Sequence, residues 1–70
     1  MNSATRFKEL RLLMGLSQMD LSALLSIKQS TLSNYETGKR HPSLRVCYKL
    51  IKLARLKEID VTIEFLRPEE

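Results

Sequence analysis

The sequence predicts an all-α domain, a bundle of four to five helices that carries one short C-terminal β-strand for dimerisation. Three observations predict it. Apolar residues recur at three- and four-residue steps through most of the chain, serine, glycine and proline interrupt those runs at helix-length intervals, and residues 58–65 switch abruptly to alternation. Seventy residues make one such domain, near the size at which a core alone suffices, so association with a second copy is a natural source of further stability. The chain divides into a helical body over residues 1–57 and a tail over residues 58–70.

Thr5 can cap a first helix that runs to about Met14, with Gly15 ending it. Phe7, Leu10, Leu13 and Met14 form its apolar side, and Arg6, Lys8 and Arg11 stay outside, facing solvent or phosphate. Ser17 then caps a second helix over Gln18–Leu25, because its hydroxyl can accept from the first free N–H groups and Asp20 suits the positive end. Leu21, Leu24 and Leu25 are its buried stripe, with Gln18, Met19 and Ser22 off it. Ser26 and Ile27 form a corner.

A third helix covers residues 28–36, anchored inward by Leu32 and Tyr35. Its other side carries Gln29, Ser30, Ser33 and Asn34, short amides and hydroxyls where a solvated surface helix ordinarily carries Lys and Glu. The loop from Thr37 to His41 uses Gly38 for positive φ and presents Lys39 and Arg40. Pro42 and the cap Ser43 set the start of a fourth helix, with Leu44, Cys47, Leu50, Ile51 and Ala54 on its apolar side. Arg45, Lys49, Lys52, Arg55 and Lys57 make its wet side.

From Glu58 to Phe65 apolar and polar residues alternate, and β-branched Ile59, Val61 and Ile63 share one face, which is a strand pattern. A lone strand leaves its N–H and C=O groups without partners. The expectation is a homodimer in which two such strands pair across a two-fold axis, with Ile59, Val61, Ile63 and Phe65 as the dimerisation residues. The competing arrangement folds the tail back on its own subunit as an extended arm. Arg67-Pro68-Glu69-Glu70 reads as a frayed end.

Charge separates the same two segments. The body holds eleven Lys and Arg against Glu9, Asp20 and Glu36, a net +8, whereas the tail holds Arg67 against five carboxylates, a net −4. A body so basic attracts a polyanion, and the tail is repelled by one. The single cysteine, Cys47, cannot form an internal disulfide, and His41 has no second ligand at metal spacing, so neither metal nor other cofactor is expected. One His, one Cys and scattered carboxylates supply no acid–base pair or nucleophile in a pocket, and an enzyme is not expected. No apolar run reaches bilayer length and "MNSATRFKEL" contains no signal-peptide core, which points to a cytoplasmic protein with no membrane partner.

Over "LRLLMGLSQMDLSALLSIKQSTLSNYETGKRHPSL", and from Phe7 to about Leu56, the chain resembles the Cro/C1-type (XRE) helix-turn-helix family and its lambda-repressor-like fold. The resemblance is carried by Ser17-Gln18 opening one helix, by Glu36-Thr37-Gly38-Lys39 and by Pro42-Ser43-Leu44. Two positions depart: Ser22 stands where the family usually has Ala, and Ser26 where it has Gly at a corner that needs a left-handed backbone. Serine in that conformation costs about 1 kcal/mol.

This resemblance implies a sequence-specific repressor that binds a palindromic double-stranded DNA operator as a homodimer. Its paired motif helices would lie about 34 Å apart in successive major grooves. Gln29, Ser30 and Asn34 are the implied base readers, followed by Lys28, Thr31 and Ser33; an amide donates and accepts at once, as adenine's edge requires. Gln18, Thr37, Lys39 and Arg40 would contact phosphate, with Gln18 also bracing Gln29. Over Ile27–Tyr35 and Ile59–Ile63 the chain is further similar to HipB-type antitoxins, whose strands form a lid across the dimer. That likeness implies a HipA-type kinase toxin as partner; the alternative is a phage or restriction-modification regulator without one.

Overall fold

The computed structural model describes residues 3–67, with side chains from Arg6 onward. Over these residues five helices follow one another: α1 (Ser3–Leu13), α2 (Gln18–Leu25), α3 (Gln29–Thr37), α4 (Leu44–Leu56) and α5 (Ile63–Leu66). All five contribute to one core, from Phe7 and Leu10 in α1 to Leu66 in α5.

α1 begins at Ser3, so Thr5 lies inside it and does not cap it. Gly15 (φ 72°) turns the chain away as expected. The inner face differs from expectation, because Leu13 is 73 % exposed while Arg11 is buried. Helical geometry accounts for this: at about 100° per residue, Arg11 falls within about 60° of both Phe7 and Met14, and Leu13 about a third of a turn outside them.

In α2 the Ser17 hydroxyl accepts from the Asp20 N–H at 3.0 Å, the cap its position predicts. Leu21 and Leu25 are fully buried, but Leu24 is out and Ser22 is in, its hydroxyl donating to the Met19 carbonyl at 2.9 Å. A small side chain whose polar group is satisfied within its own turn lets α3 and α4 close against this face. Ser26 adopts the left-handed conformation (φ 58°, ψ 43°), and Ile27 N–H closes the corner on the Ser22 carbonyl at 3.0 Å. The end of α2 is further held by Lys49, which donates from Nζ to the Leu25 carbonyl at 3.2 Å.

Ser43 caps α4, accepting from the Val46 N–H at 3.2 Å. Cys47, Leu50 and Ala54 are buried as expected, while Leu44 faces out and Val46 takes an inner place. Burial pushes the Cys47 thiol above its ordinary pKa, against a smaller opposing pull from Arg67.

The expected strand does not form. Glu58 (φ 61°) reverses the chain after α4, and the Ile59 N–H returns to the Ala54 carbonyl at 2.9 Å. The next residues carry no regular structure, and at Thr62 the hydroxyl accepts from the Phe65 N–H at 3.1 Å to start α5. Ile59, Val61 and Ile63 pack half-buried on the subunit's own core, and Leu66 is fully buried. The tail therefore lies back on its own α1 and α4. Alternation at 59, 61 and 63 suits a segment laid along a core as well as a strand, and the three-residue step from Ile63 to Leu66 turns it helical.

Phe65 remains partly exposed, with the Arg6 guanidinium 5.3 Å above its ring and Arg6 Nη1 donating to its carbonyl at 3.4 Å. Between α1 and this tail runs an apolar groove of about 420 Å³, lined by Leu13, Ile59, Val61 and Phe65 together with Glu9 and Asp60. The frayed end expected over Pro68-Glu69-Glu70 lies outside the described residues. Among the described residues no helix is long and apolar enough to cross a membrane.

Candidate nucleic-acid interface

α3 is held from behind by three side chains. Leu32 is fully buried, and the Tyr35 ring packs 5.8 Å from that of Phe7 at a 54° tilt. Glu36, the third, turns inward as well. Its carboxylate receives Arg11 Nε at 2.7 Å and Nη2 at 3.1 Å, and Gln18 Nε2 at 3.0 Å. The remaining arm of Arg11, Nη1, donates to the Leu16 carbonyl at 2.9 Å. One carboxylate thus ties α1, the start of α2 and the end of α3 together. A forked, fully partnered guanidinium is the arrangement in which a charge can leave water without a large penalty.

Arg11 is accordingly not the outward-facing cation its residue type suggests. Gln18 is half-buried, and its amide nitrogen bonds Glu36, whereas the family resemblance has it brace Gln29. Sequence reasoning missed the Glu36 cluster. Glu36 is the one carboxylate between Asp20 and Glu58, a signal that it has a dedicated partner, but spacing does not single out which of the many cations that partner is.

With its inner side so committed, α3 presents the rest outward. Lys28, Gln29 and Ser30 are exposed, Thr31, Ser33 and Asn34 half-exposed, and none of the six joins the core. The helix starts one residue later than expected, since Lys28 is its N-cap (φ −72°, ψ 148°) and supplies no side-chain cap bond. At the other end Gly38 (φ 82°) breaks the helix, and both the Arg40 N–H and the Thr37 hydroxyl reach the Asn34 carbonyl, at 3.2 and 3.4 Å. Those bonds hold the exposed Thr37, Lys39 and Arg40 against the end of α3.

The result is a strip of amides and hydroxyls with cations at both ends, a surface that can hydrogen-bond and attract negative charge. His41 is exposed in the loop and Cys47 sits in the core, and among the described residues no cluster of His, Cys, Asp and Glu could hold a metal ion.

The helix-turn-helix family matches this chain over residues 7–61. Two proteins of Archaeoglobus fulgidus, both described as uncharacterized HTH-type transcriptional regulators, are similar to it. One is 33% identical over 57 residues, covering 79% of this chain and 81% of the relative; the other is 32% identical over 59 residues, covering 84% and 83%. No solved structure matches.

Proposed function

The chain belongs to the helix-turn-helix family, and from that membership we propose that it is a sequence-specific DNA-binding transcriptional regulator that reads its site with α3. The observation that carries this reading is the division of α3 into two sides. Leu32, Tyr35 and Glu36 are committed to the interior, while Gln29, Ser30, Ser33 and Asn34 serve no internal purpose.

In this reading Gln29, Ser30 and Asn34 meet base edges in the major groove, and Lys28, Thr31 and Ser33 extend the contact. Thr37, Lys39 and Arg40 set the register through phosphates. Gln18 has one amide hydrogen on Glu36 and a second for the backbone. Two subunits would place their α3 helices about 34 Å apart on an inverted repeat, and occupancy of that repeat would repress the adjoining promoter.

The kinase-antitoxin reading retains only the likeness over Ile27–Tyr35, because the segment on which its lid strand rested runs without regular structure to Thr62, turns helical from Ile63 and packs on its own subunit. A regulator without a toxin partner is therefore the first choice, and co-purification with a HipA-type kinase would reverse the order. The deciding experiment for DNA reading is to incubate the protein with a random duplex library and sequence the retained fragments. An enriched inverted repeat with half-sites about one helical turn apart is expected. Retention of all sequences alike would overturn the proposal.

A further inference from the structure

In a continuous helix the Leu25 carbonyl would receive the Gln29 N–H. The corner between α2 and α3 breaks that bond, and the groups that close the corner serve other acceptors: the Ser26 N–H reaches the Ala23 carbonyl at 3.1 Å, and the Ile27 N–H the Ser22 carbonyl at 3.0 Å. Leu25 is left for a partner from elsewhere, and α2 has no cation of its own in its last turn. The partner is Lys49, 24 residues further along the chain, whose Nζ donates to the Leu25 carbonyl at 3.2 Å. It comes from α4, which packs chiefly on α2 and α5, whereas α3 packs chiefly on α1 and α2. Both sides of the corner need such a hold. Ser26 keeps a left-handed backbone (φ 58°) without being glycine, and Lys28, the N-cap of α3, supplies no side-chain bond.

We infer that Lys49 is a positioning residue for base reading: its ammonium, standing in for the Gln29 N–H, fixes the peptide at which α2 ends and so the direction in which α3 leaves with Gln29 and Ser30 in front. The inference rests on the regulator reading of α3 and adds to it a residue that touches no base. A lysine suits the place, because its three N–H groups tolerate several approaches to one carbonyl and its charge opposes the negative end of α2. Held by the two backbone bonds alone, α3 can tilt about the left-handed Ser26. A tilt at its start displaces Gln29 and Ser30 from base edges, where hydrogen bonds are short and directional, and the long side chains of Lys39 and Arg40 still follow a phosphate. Loss of Lys49 therefore costs discrimination between sequences and leaves the general attraction to DNA, save for one charge.

The test compares three variants of the full chain. Lys49→Met keeps the stem and removes the donor, Lys49→Arg keeps charge and donor, and Lys52→Met removes one charge from a neighbouring exposed position of α4. Without DNA, amide exchange of the Ser26 and Ile27 N–H groups should quicken about tenfold in Lys49→Met and stay native in the other two. On DNA, the ratio of affinities for the enriched site and for that site changed at one base pair should fall about tenfold in Lys49→Met and stay native in Lys49→Arg and Lys52→Met. Affinity for a random duplex should drop alike in the two methionine variants. Exchange quickened equally throughout α1 and α4 would mark Lys49 as a general support of the fold and overturn the inference. Native exchange at the corner, or discrimination lost equally in Lys49→Met and Lys52→Met, would overturn it too, and each of these can occur while the native chain still enriches its site. A native chain that enriches no site overturns the regulator reading, and this inference with it.

Discussion

Arg11 and Glu36 meet at 2.7 Å with side chains only 9 % and 3 % exposed, joining the first helix of the chain to the last turn of the helix that faces outward. Removing one member leaves the other charged and buried. Arg11→Met should therefore lower unfolding free energy by about 3–5 kcal/mol in urea denaturation, and the double variant Arg11→Met/Glu36→Leu by much less. A single variant no worse than the double one would show that the pair is solvated.

Gln29→Ala and Lys39→Ala should separate base reading from phosphate contact. The first is expected to cost about 1–3 kcal/mol on the enriched site and to relax preference at one base pair. The second should weaken all duplexes alike and reduce the slope of log affinity against log salt by about one. Titrations on matched and single-substituted sites at several salt concentrations measure both.

Ser26 pays for its left-handed backbone (φ 58°) with a Cβ clash that glycine does not have. Ser26→Gly should raise stability by about 0.5–1 kcal/mol, and Ser26→Val should lower it by more. Thermal melts decide the sign, and a destabilised Gly variant would mean the serine side chain contributes something the backbone strain does not outweigh.

Leu66 is fully buried and Leu24 is 52 % exposed. Leu66→Ala should destabilise by about 2–5 kcal/mol and Leu24→Ala, at a position the helical spacing of α2 places inside, by far less. Equal effects in denaturant titrations would place the tail off the core.

Burial raises the Cys47 thiol. Its contribution to stability is thus fully present below the unfolded thiol's pKa, about 8.5, and is lost as pH rises from there through the raised folded value. Between pH 8 and pH 10 the native chain should lose stability faster than Cys47→Ala, by at most about 1.4 kcal/mol per pH unit. Iodoacetamide should label Cys47 slowly in the folded protein and quickly in urea. Equal pH slopes would argue against the buried thiol.

Much of the architecture was legible because its cues are local. Ser17 and Ser43 accept the capping bonds their positions predict, Gly15, Ser26 and Gly38 turn the chain where expected, and α2 has its expected bounds. The errors share one cause. Arg11 against Leu13, Ser22 against Leu24 and Val46 against Leu44 are choices between neighbouring faces of a helix, and these are settled by what packs opposite. The tail poses the same question on a larger scale, since alternation states that one face is covered but not by which molecule. At the candidate interface the outward position of Gln29 and Ser30 was legible from their chemistry, while the Glu36 cluster needed α1 and α3 side by side.

Because Leu66 completes the core, a ribosome making this chain must carry synthesis past residue 66, and beyond the length its exit tunnel hides, before the body can shut. Until then the sides of α1 and α4 on which α5 packs stay open. Whatever slows the emergence of that last helical turn lengthens the interval in which chaperones compete for the open face.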